Sequence, residues 1–290
     1  MARARTNGIE LEYDSFGAAS DPALLLISGF ATQLIGWEPE FCRLLADEGF
    51  YVVRFDNRDV GLSSRIDADV DLDALLAGAL RSVPYGLEDM ADDAAGLLDA
   101  LGREAAHIVG SSMGGMIGQT LAIRHPTRVL SLCSIMSTTG DPTVGQSTSE
   151  AMTALMTPAA ASPAAAASRG VEVGRVMSPG KYFDEDRAAR RAREAYVRAH
   201  GPGGAVRQLA AVGTQVDRTE ALAGVRVPTL AIHGALDPVF HVSGGEATAR
   251  AVPGARLLRI EDMGHDIPEP LWPLIVSEIV TNARRATAGG

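Results

Sequence analysis

The amino-acid sequence predicts an α/β fold with a mostly parallel central sheet, helices on both faces and one helical insertion. Short apolar runs alternate with amphipathic helical patterns along most of the chain, which is typical of repeated β-α-β units. The inner runs are apolar at consecutive positions, as strands are when helices cover both faces of a sheet. The alternation stops at residues 138–224, where no strand-like run occurs and Ala, Arg and Pro are abundant.

These patterns predict seven strands and three long helices outside the insertion. The strands are expected at residues 9–16, 24–28, 51–55, 107–110, 129–136, 229–233 and 256–260. The helical patterns lie at 37–45, 87–101 and 271–279, and the first two precede Gly49 and Gly102, residues that commonly end helices.

The insertion is expected to form a helical cap. The core would then comprise residues 1–137 and 225–290, with residues 138–224 lying over the sheet as a lid. Pro158 and Pro163 interrupt an Ala-rich stretch, so several short helices are expected rather than one long helix. Apolar residues such as Met152 and Met156 argue against a solvated linker.

Charge and cysteine content narrow the class of protein. The 290 residues include 26 Lys and Arg and 36 Asp and Glu, which gives a formal net charge of −10. Because nucleic-acid binding requires a clustered basic face, this charge argues against a DNA- or RNA-binding protein. No apolar run is long enough for a transmembrane segment, and no apolar stretch follows the basic N-terminal residues. Cys42 and Cys133 lie far apart in apolar patterns and predict no disulfide framework. We therefore expect a cytoplasmic protein; no pattern indicates its oligomeric state.

The stretch from Gly110 to Gly114 carries the strongest chemical signal. It reads Gly-Ser-Ser-Met-Gly, with Ser112 at the centre of a G-x-S-x-G motif, directly after a buried strand and directly before an apolar helix. Small flanking residues let the chain bend sharply, and the turn presents the hydroxyl at the N-terminus of the helix. A glycine-rich turn that contains a serine by chance matches the same motif. A catalytic assignment of Ser112 therefore requires partner residues elsewhere in the chain.

A serine nucleophile requires a histidine base, and the base requires a carboxylate that fixes its tautomer. Asp237 follows the predicted strand at 229–233, and His265 follows the predicted strand at 256–260. Because the carboxyl ends of parallel strands meet at one edge of a sheet, Ser112, Asp237 and His265 are expected to lie together. Asp237 precedes a proline and is also compatible with an ordinary turn. Asp141, after the strand at 129–136, is the rival acid.

These motifs resemble the α/β-hydrolase superfamily across nearly the whole chain. Residues 55–63, Phe-Asp-Asn-Arg-Asp-Val-Gly-Leu-Ser, resemble the D-x-R-D-x-G-x-S segment of aclacinomycin-type methylesterases and of lipase G-type esterases of mycobacteria. Residues 87–93 and 263–266 resemble the same group. The resemblance implies a helical cap and a small-molecule ester substrate, hydrolysed without a cofactor. Within 55–63 we expect the charged residues to form a hydrogen-bonded loop beside the site and to have no catalytic role.

The resemblance also implies an oxyanion hole made of two backbone N–H groups. The family places one donor after its third strand, which corresponds to the predicted strand at 24–28. The donor commonly lies in a His-Gly-x motif, where this sequence has Ser28, Gly29 and Phe30. Phe30 is the matching position, and Met113, directly after the nucleophile, supplies the second donor. Because the donors belong to the backbone, Ser28 in place of histidine changes only how the loop is braced.

An apolar substrate pocket is expected beneath the insertion. Met152 and Met156 are candidates for its lining, and Trp37 is a third candidate on the long turn that starts at Phe30. Trp37 also continues the apolar stripe of the following helix, which favours packing in the core.

Several activities share this scaffold. Carboxylic ester hydrolysis is favoured, while a C–C bond hydrolase would use the same residues on diketone acids and would need positive charge in the pocket. A cofactor-free haloperoxidase or perhydrolase is a further enzymatic alternative, and a ligand receptor with an intact triad is the non-enzymatic one. The sequence contains no H-E-x-x-H, no paired C-x-x-C and no G-x-G-x-x-G after a strand, so no metal or nucleotide cofactor is expected.

Overall fold

A computed structural model describes residues 1–80, 82–201 and 203–286 of the chain. Within them, eight strands form one sheet in the order β1-β2-β4-β3-β5-β6-β7-β8. The strands are β1 (Ala2–Thr6), β2 (Ile9–Phe16), β3 (Ala23–Ile27), β4 (Tyr51–Phe55), β5 (Ala106–Ser111), β6 (Val129–Ile135), β7 (Thr229–Gly234) and β8 (Arg256–Ile260).

Most of the sheet is parallel. Strands β4, β3, β5, β6, β7 and β8 pair in parallel, and β2 pairs antiparallel with both β1 and β4. Strand β1 was not predicted, because its sequence Ala-Arg-Ala-Arg-Thr contains no apolar run. It is an edge strand in which Ala4 and Thr6 are buried and Arg3 and Arg5 are exposed, a pattern of period two whose buried residues are small.

Eleven α-helices lie within the described residues. They are α1 (Pro39–Asp47), α2 (Leu72–Leu76), α3 (Leu87–Ala100), α4 (Met113–Arg124), α5 (Ser149–Leu155), α6 (Pro163–Met177), α7 (Glu185–Arg198), α8 (Gly203–Gly213), α9 (Thr219–Leu222), α10 (Ser243–Ala251) and α11 (Trp272–Arg284). Helices α5 to α9 lie in the 138–224 insertion, whose described residues contain no strand. That the insertion is a cap domain stays a prediction. No helix in the described ranges is long and apolar enough to span a bilayer.

Helices cover both faces of the sheet, which confirms the predicted fold class. Strand β3 is buried along its whole length. Leu25 and Ile27 pack in one apolar cluster with α3 and α4, and Leu24 and Leu26 pack in a second cluster with α1 and α11. This division follows from the strand itself, since successive side chains point to opposite faces.

The order of the strands creates a crevice at the carboxyl edge of the sheet. The chain passes from β3 to β4 on one side and then returns to place β5 on the other side of β3. Loops that leave two neighbouring parallel strands in opposite directions open a space between them, which is where α/β sheets bind ligands. The loop after β3 carries Phe30, and the turn after β5 carries Ser112.

His107 in β5 makes the fold sensitive to acid. Its side chain is 4% exposed, with Nδ1 2.9 Å from Ser131 Oγ, and burial lowers the pKa of His107 to about 4. In the unfolded chain the imidazole of His107 takes up a proton near pH 6.5. The contribution of neutral His107 to the free energy of unfolding is therefore complete above that pH and is lost as pH falls toward 4. Between pH 7 and pH 5 this group should lower the free energy of unfolding by about 2 kcal/mol.

Denaturant unfolding of the wild type and of His107→Phe at the two pH values measures this contribution. The variant should lose about 2 kcal/mol less than the wild type over the same interval, because phenylalanine binds no proton. Equal losses in the two proteins would contradict the assignment to His107.

Candidate active site

Ser112 lies on the sharp turn between β5 and α4. Its backbone has φ 55° and ψ −121°, a conformation that residues with a side chain rarely adopt. The Ser112 N–H donates to the carbonyl oxygen of Ile135 at 2.8 Å. A Cβ on Gly110 would overlap the Gly114 carbonyl, and a Cβ on Gly114 would overlap the Ile27 carbonyl. The two glycines therefore permit the close strand-to-helix contact that holds the strained serine.

Three side chains meet above the carboxyl edge of the sheet. His265 follows β8, and its Nε2 lies 3.0 Å from Ser112 Oγ while its Nδ1 lies 2.8 Å from Asp237 Oδ2. Both distances are in hydrogen-bond range. With Nδ1–H donating to Asp237, Nε2 is free to accept the Ser112 hydroxyl. The structure thus brings together the three residues that the sequence predicted.

Asp237 is buried and held by more partners than His265 alone. Its Oδ1 accepts the N–H groups of Val239 and Phe240, both at 2.8 Å. Burial by itself would raise the pKa of Asp237, but the charge of His265 and the hydrogen bonds from His233 and His265 outweigh it. The pKa of Asp237 is therefore held below its usual range, and the carboxylate stays ionised at neutral pH.

His233 is a further neighbour of this site, and it lies inside the strand that the sequence predicts at residues 229–233. It is fully buried at the end of β7, its Nε2 donates to the Phe240 carbonyl oxygen at 2.7 Å, and the same nitrogen lies 3.4 Å from Asp237 Oδ2. The only signal in the sequence was its position four residues before Asp237, at the same strand end.

The rival acid has different partners. Asp141 Oδ1 accepts the N–H of Thr143 at 2.8 Å and the Thr143 hydroxyl at 2.7 Å, which closes a local turn. The Nδ1 atom of His265 is directed at Asp237 instead. The geometry therefore favours Asp237 over Asp141.

The loop after β3 and the first turn of α4 both lie beside Ser112. A Cβ on Gly29 would lie 3.2 Å from Ser112 Cβ and 3.7 Å from Ser112 Oγ, so the loop after β3 passes next to the hydroxyl. Phe30 follows Gly29 in this loop, and Met113 begins α4. Within the described ranges, neither the Phe30 N–H nor the Met113 N–H donates to a protein acceptor.

Ser28 braces this loop through its backbone. Its carbonyl oxygen accepts a hydrogen bond from Asn57 Nδ2 at 3.0 Å. Its buried Oγ has no hydrogen-bond partner among the residues that the structure describes. The side chain that replaces the family's usual histidine therefore contributes no hydrogen bond to the loop.

The family match agrees with this arrangement. The family described as the alpha/beta hydrolase fold matches residues 22–269. This chain belongs to the α/β-hydrolase family. The match spans all the loops that carry Phe30, Ser112, Asp237 and His265, and it confirms the resemblance inferred from the motifs.

Two curated relatives of this α/β hydrolase are similar along almost the whole chain. They are the rhodomycin D methylesterase DauP of Streptomyces sp. (strain C5), 31% identical over 300 residues, and the rhodomycin D methylesterase DnrP of Streptomyces peucetius, 31% identical over 305 residues. Each alignment covers 96% of this chain and 96% of the relative. These matches confirm the predicted resemblance to methylesterases.

Solved structures show the same fold. The esterase RhEst1 from Rhodococcus sp. ECU1013 superposes with a TM-score of 0.75 at 20% sequence identity, covering 98% of each chain. At this level of identity the similarity establishes the fold of the hydrolase.

The 56–63 segment of the hydrolase joins the insertion to the core. Asp56 Oδ1 accepts the N–H of Leu34 at 2.7 Å, and its Oδ2 lies 2.8 Å from the guanidinium of Arg198 in α7. Asp59 forms two hydrogen bonds of 2.8 Å with Arg207 in α8. The segment therefore has the bracing contacts that the sequence predicted for its charged residues.

The insertion of the hydrolase also contacts the His265 loop. The N–H of His265 donates to the carbonyl oxygen of Met177, at the end of α6, at 2.6 Å. The buried Arg187 of α7 binds Asp266 at 2.9 Å and Glu38 at 2.7 Å. The loop that carries the histidine is thus held by the insertion at two successive residues, His265 and Asp266.

The three pocket candidates lie in different environments. Trp37 is buried in the core of the hydrolase and stacks on Phe41 with ring centroids 5.6 Å apart, which favours core packing as its helical stripe indicated. Met152 and Met156 lie on and directly after α5, with 39% and 37% of their surface exposed. Their contact with a substrate stays a prediction.

Proposed function

We propose that this α/β hydrolase cleaves carboxylic esters through an acyl-enzyme intermediate formed on Ser112. The observation that carries the proposal is the pair of contacts made by one ring, 3.0 Å from His265 Nε2 to Ser112 Oγ and 2.8 Å from Nδ1 to Asp237. His265 takes the hydroxyl proton as Ser112 Oγ attacks the carbonyl carbon, and it then gives the proton to the departing alcohol. Asp237 holds the required tautomer and stabilises the imidazolium.

The second half of the cycle uses the same groups. A water molecule attacks the acyl carbonyl while His265 accepts its proton, and the proton returns to Ser112 Oγ as the acid leaves. In both halves the N–H groups of Phe30 and Met113 donate to the tetrahedral oxyanion. The passage of the Gly29–Phe30 loop next to Ser112 and the place of Met113 directly after it support this role.

We propose a methyl ester of a polyketide antibiotic intermediate as the substrate. The two relatives named rhodomycin D methylesterases support this choice, because each aligns over 96% of this chain at 31% identity. The D-x-R-D-x-G-x-S resemblance at residues 55–63 supports the same group.

Four arginines of the insertion support an ester rather than a diketone acid as the substrate. A C–C bond hydrolase acting on an acid needs a cation for the substrate carboxylate. Arg187 and Arg191 of α7 pair with Asp266, Arg198 pairs with Asp56, and Arg207 pairs with Asp59. These four arginines are paired with carboxylates of the core, so none of them is an unpaired cation for a substrate carboxylate.

Methanol release from aromatic polyketide methyl esters, combined with fluorophosphonate labelling, tests the proposal. We expect many turnovers per protein molecule and a single labelled peptide that contains Ser112, because the activated hydroxyl attacks both reagents. Labelling elsewhere would overturn the assignment of the nucleophile. A single turnover per molecule would indicate a receptor, and faster cleavage of a diketone acid than of any ester would indicate a C–C bond hydrolase.

A further inference from the structure

Gln208 in α8 connects the insertion to the loop beside Ser112. Its side chain is fully buried, and both ends of its amide form hydrogen bonds. Oε1 accepts the backbone N–H of Ala31 at 2.8 Å, and Nε2 donates to the carbonyl oxygen of Arg58 at 2.8 Å. One partner is a donor and the other an acceptor, so only a group with both functions satisfies the two.

The Ala31 end of this connection holds a strained residue. Ala31 directly follows Phe30 and has φ 50°, in the left-handed region that favours glycine. A residue with a side chain keeps such a conformation only when its surroundings impose it. The hydrogen bond from Ala31 to Gln208 provides that restraint, and it leaves the N–H of Phe30 available to a substrate.

The Arg58 end is anchored in the core. Arg58 is buried, and its guanidinium binds the buried Asp93 through two hydrogen bonds of 2.6 and 2.7 Å. Helix α8 is also fixed against this region, since Arg207 binds Asp59 and a Cβ on Gly204 would overlap the Asp59 carbonyl. Gln208 therefore holds the loop after β3 at a fixed position relative to the core.

We propose that Gln208 is a positioning residue that aligns the Phe30 N–H with the oxyanion of the reaction. The inference rests on the proposed esterase function. It means that a residue of the insertion positions one donor of the oxyanion hole. In the part of the chain that the structure describes, the hydrogen bonds of the Gln208 side chain go to Ala31 and Arg58 and those of the His265 ring go to Asp237 and Ser112, so activation of the nucleophile does not use Gln208. Loss of Gln208 weakens stabilisation of the transition state and leaves substrate binding largely unchanged.

The test compares an ester with its thionoester, in which sulfur replaces the carbonyl oxygen. Sulfur is a weak hydrogen-bond acceptor, so a thionoester gains little from a well-placed N–H donor. Gln208→Met retains the length and volume of the side chain and removes both hydrogen bonds. We expect kcat for the ester to fall by about 10- to 100-fold, KM to stay nearly constant, and the ester-to-thionoester ratio of kcat to fall at least about tenfold.

Gln33→Met is the matched control. Gln33 is buried in the same loop and bridges to α7, donating to the carbonyl oxygens of Ala195 at 2.7 Å and Ala199 at 3.0 Å. Its replacement weakens the contact with the insertion but retains the hydrogen bond between Ala31 and Gln208. We expect the wild-type ratio in this control. An equal fall of the ratio in both variants would overturn the proposal.

Gln208→Glu separates the two ends of the side chain. A carboxylate still accepts the Ala31 N–H but no longer donates to the Arg58 carbonyl. We expect this variant to retain more of the ester-to-thionoester ratio than Gln208→Met. A glutamate variant as impaired as the methionine variant, or a methionine variant that slows both substrates equally, would overturn the role of the Ala31 hydrogen bond.

Fluorophosphonate labelling of Ser112 and thermal unfolding are measured for every variant. If the wild type is neither labelled nor active on the ester, the proposed function itself fails. If the wild type is active and Gln208→Met has an unchanged ratio, only the inference about Gln208 fails.

Discussion

Ser112→Ala is expected to lower kcat for ester hydrolysis by about 10⁶ while the fold remains intact, because the members of a triad act as a unit. The variant removes the attacking oxygen, so His265, which Asp237 orients, has no hydroxyl to deprotonate. The backbone of the turn should persist, since its support comes from the Ser112 N–H to Ile135 hydrogen bond and from the contacts of Gly110 and Gly114. Residual catalysis from substrate binding and the oxyanion donors would still exceed the reaction in water.

Initial rates on a p-nitrophenyl ester, with circular dichroism as a check on folding, measure the effect. Ser111→Ala is the matched control, because Ser111 is the neighbouring serine, is buried in β5 and is outside the group that contacts His265. The control should retain activity close to that of the wild type. Near-full activity in Ser112→Ala, or a comparable loss in Ser111→Ala, would contradict the assignment.

Asp237→Asn is expected to lower kcat by about 10⁴, the loss typical of a histidine held in the wrong tautomer. The hydrogen bonds around Asp237 fix the orientation that the asparagine amide must adopt. Asp237 Oδ1 accepts two backbone N–H groups, from Val239 and Phe240, so the oxygen of an asparagine must occupy that place. Its NH₂ group then faces His265 Nδ1 and donates to it. The remaining ring proton moves to Nε2, which can no longer accept the Ser112 hydroxyl.

The kinetic signature and the control distinguish this effect from misfolding. The asparagine variant should recover part of its rate at high pH, where a deprotonated nucleophile needs the base less. Asp141→Asn changes the rival acid in the same way, and we expect it to retain wild-type activity because Asp141 bonds to Thr143. A loss in Asp141→Asn that matches the loss in Asp237→Asn would contradict the choice of Asp237 as the acid.

Much of the candidate site was predictable because each of its members lies at a strand end. Ser112, Asp237 and His265 each follow an apolar run that can be recognised without coordinates. Parallel strands place their carboxyl ends at one edge, so order along the chain was sufficient to group the three residues. Strand β1 could not be predicted in this way, because its buried residues are small or polar and produce no apolar signal.

The supporting residues depended on contacts between distant parts of the chain. His233 was visible only as a strand residue, and its contact with Asp237 depends on how the turn after β7 folds back. Gln208 lies 177 positions from Ala31, in a helix that carries no recognisable motif. Hydrogen bonds of this kind depend on the docking of whole elements, and local periodicity contains no information about docking.

Hydrophobic periodicity and chain order were enough to predict the fold class, a helical segment at residues 138–224 and a grouping of three residues at the strand ends. Contacts between distant elements were needed to see that Asp237 rather than Asp141 faces His265, that Trp37 packs in the core, and that Gln208 binds the backbone next to Phe30. Each of these outcomes depends on atoms less than about 4 Å apart that belong to separate elements, and such distances are set by packing.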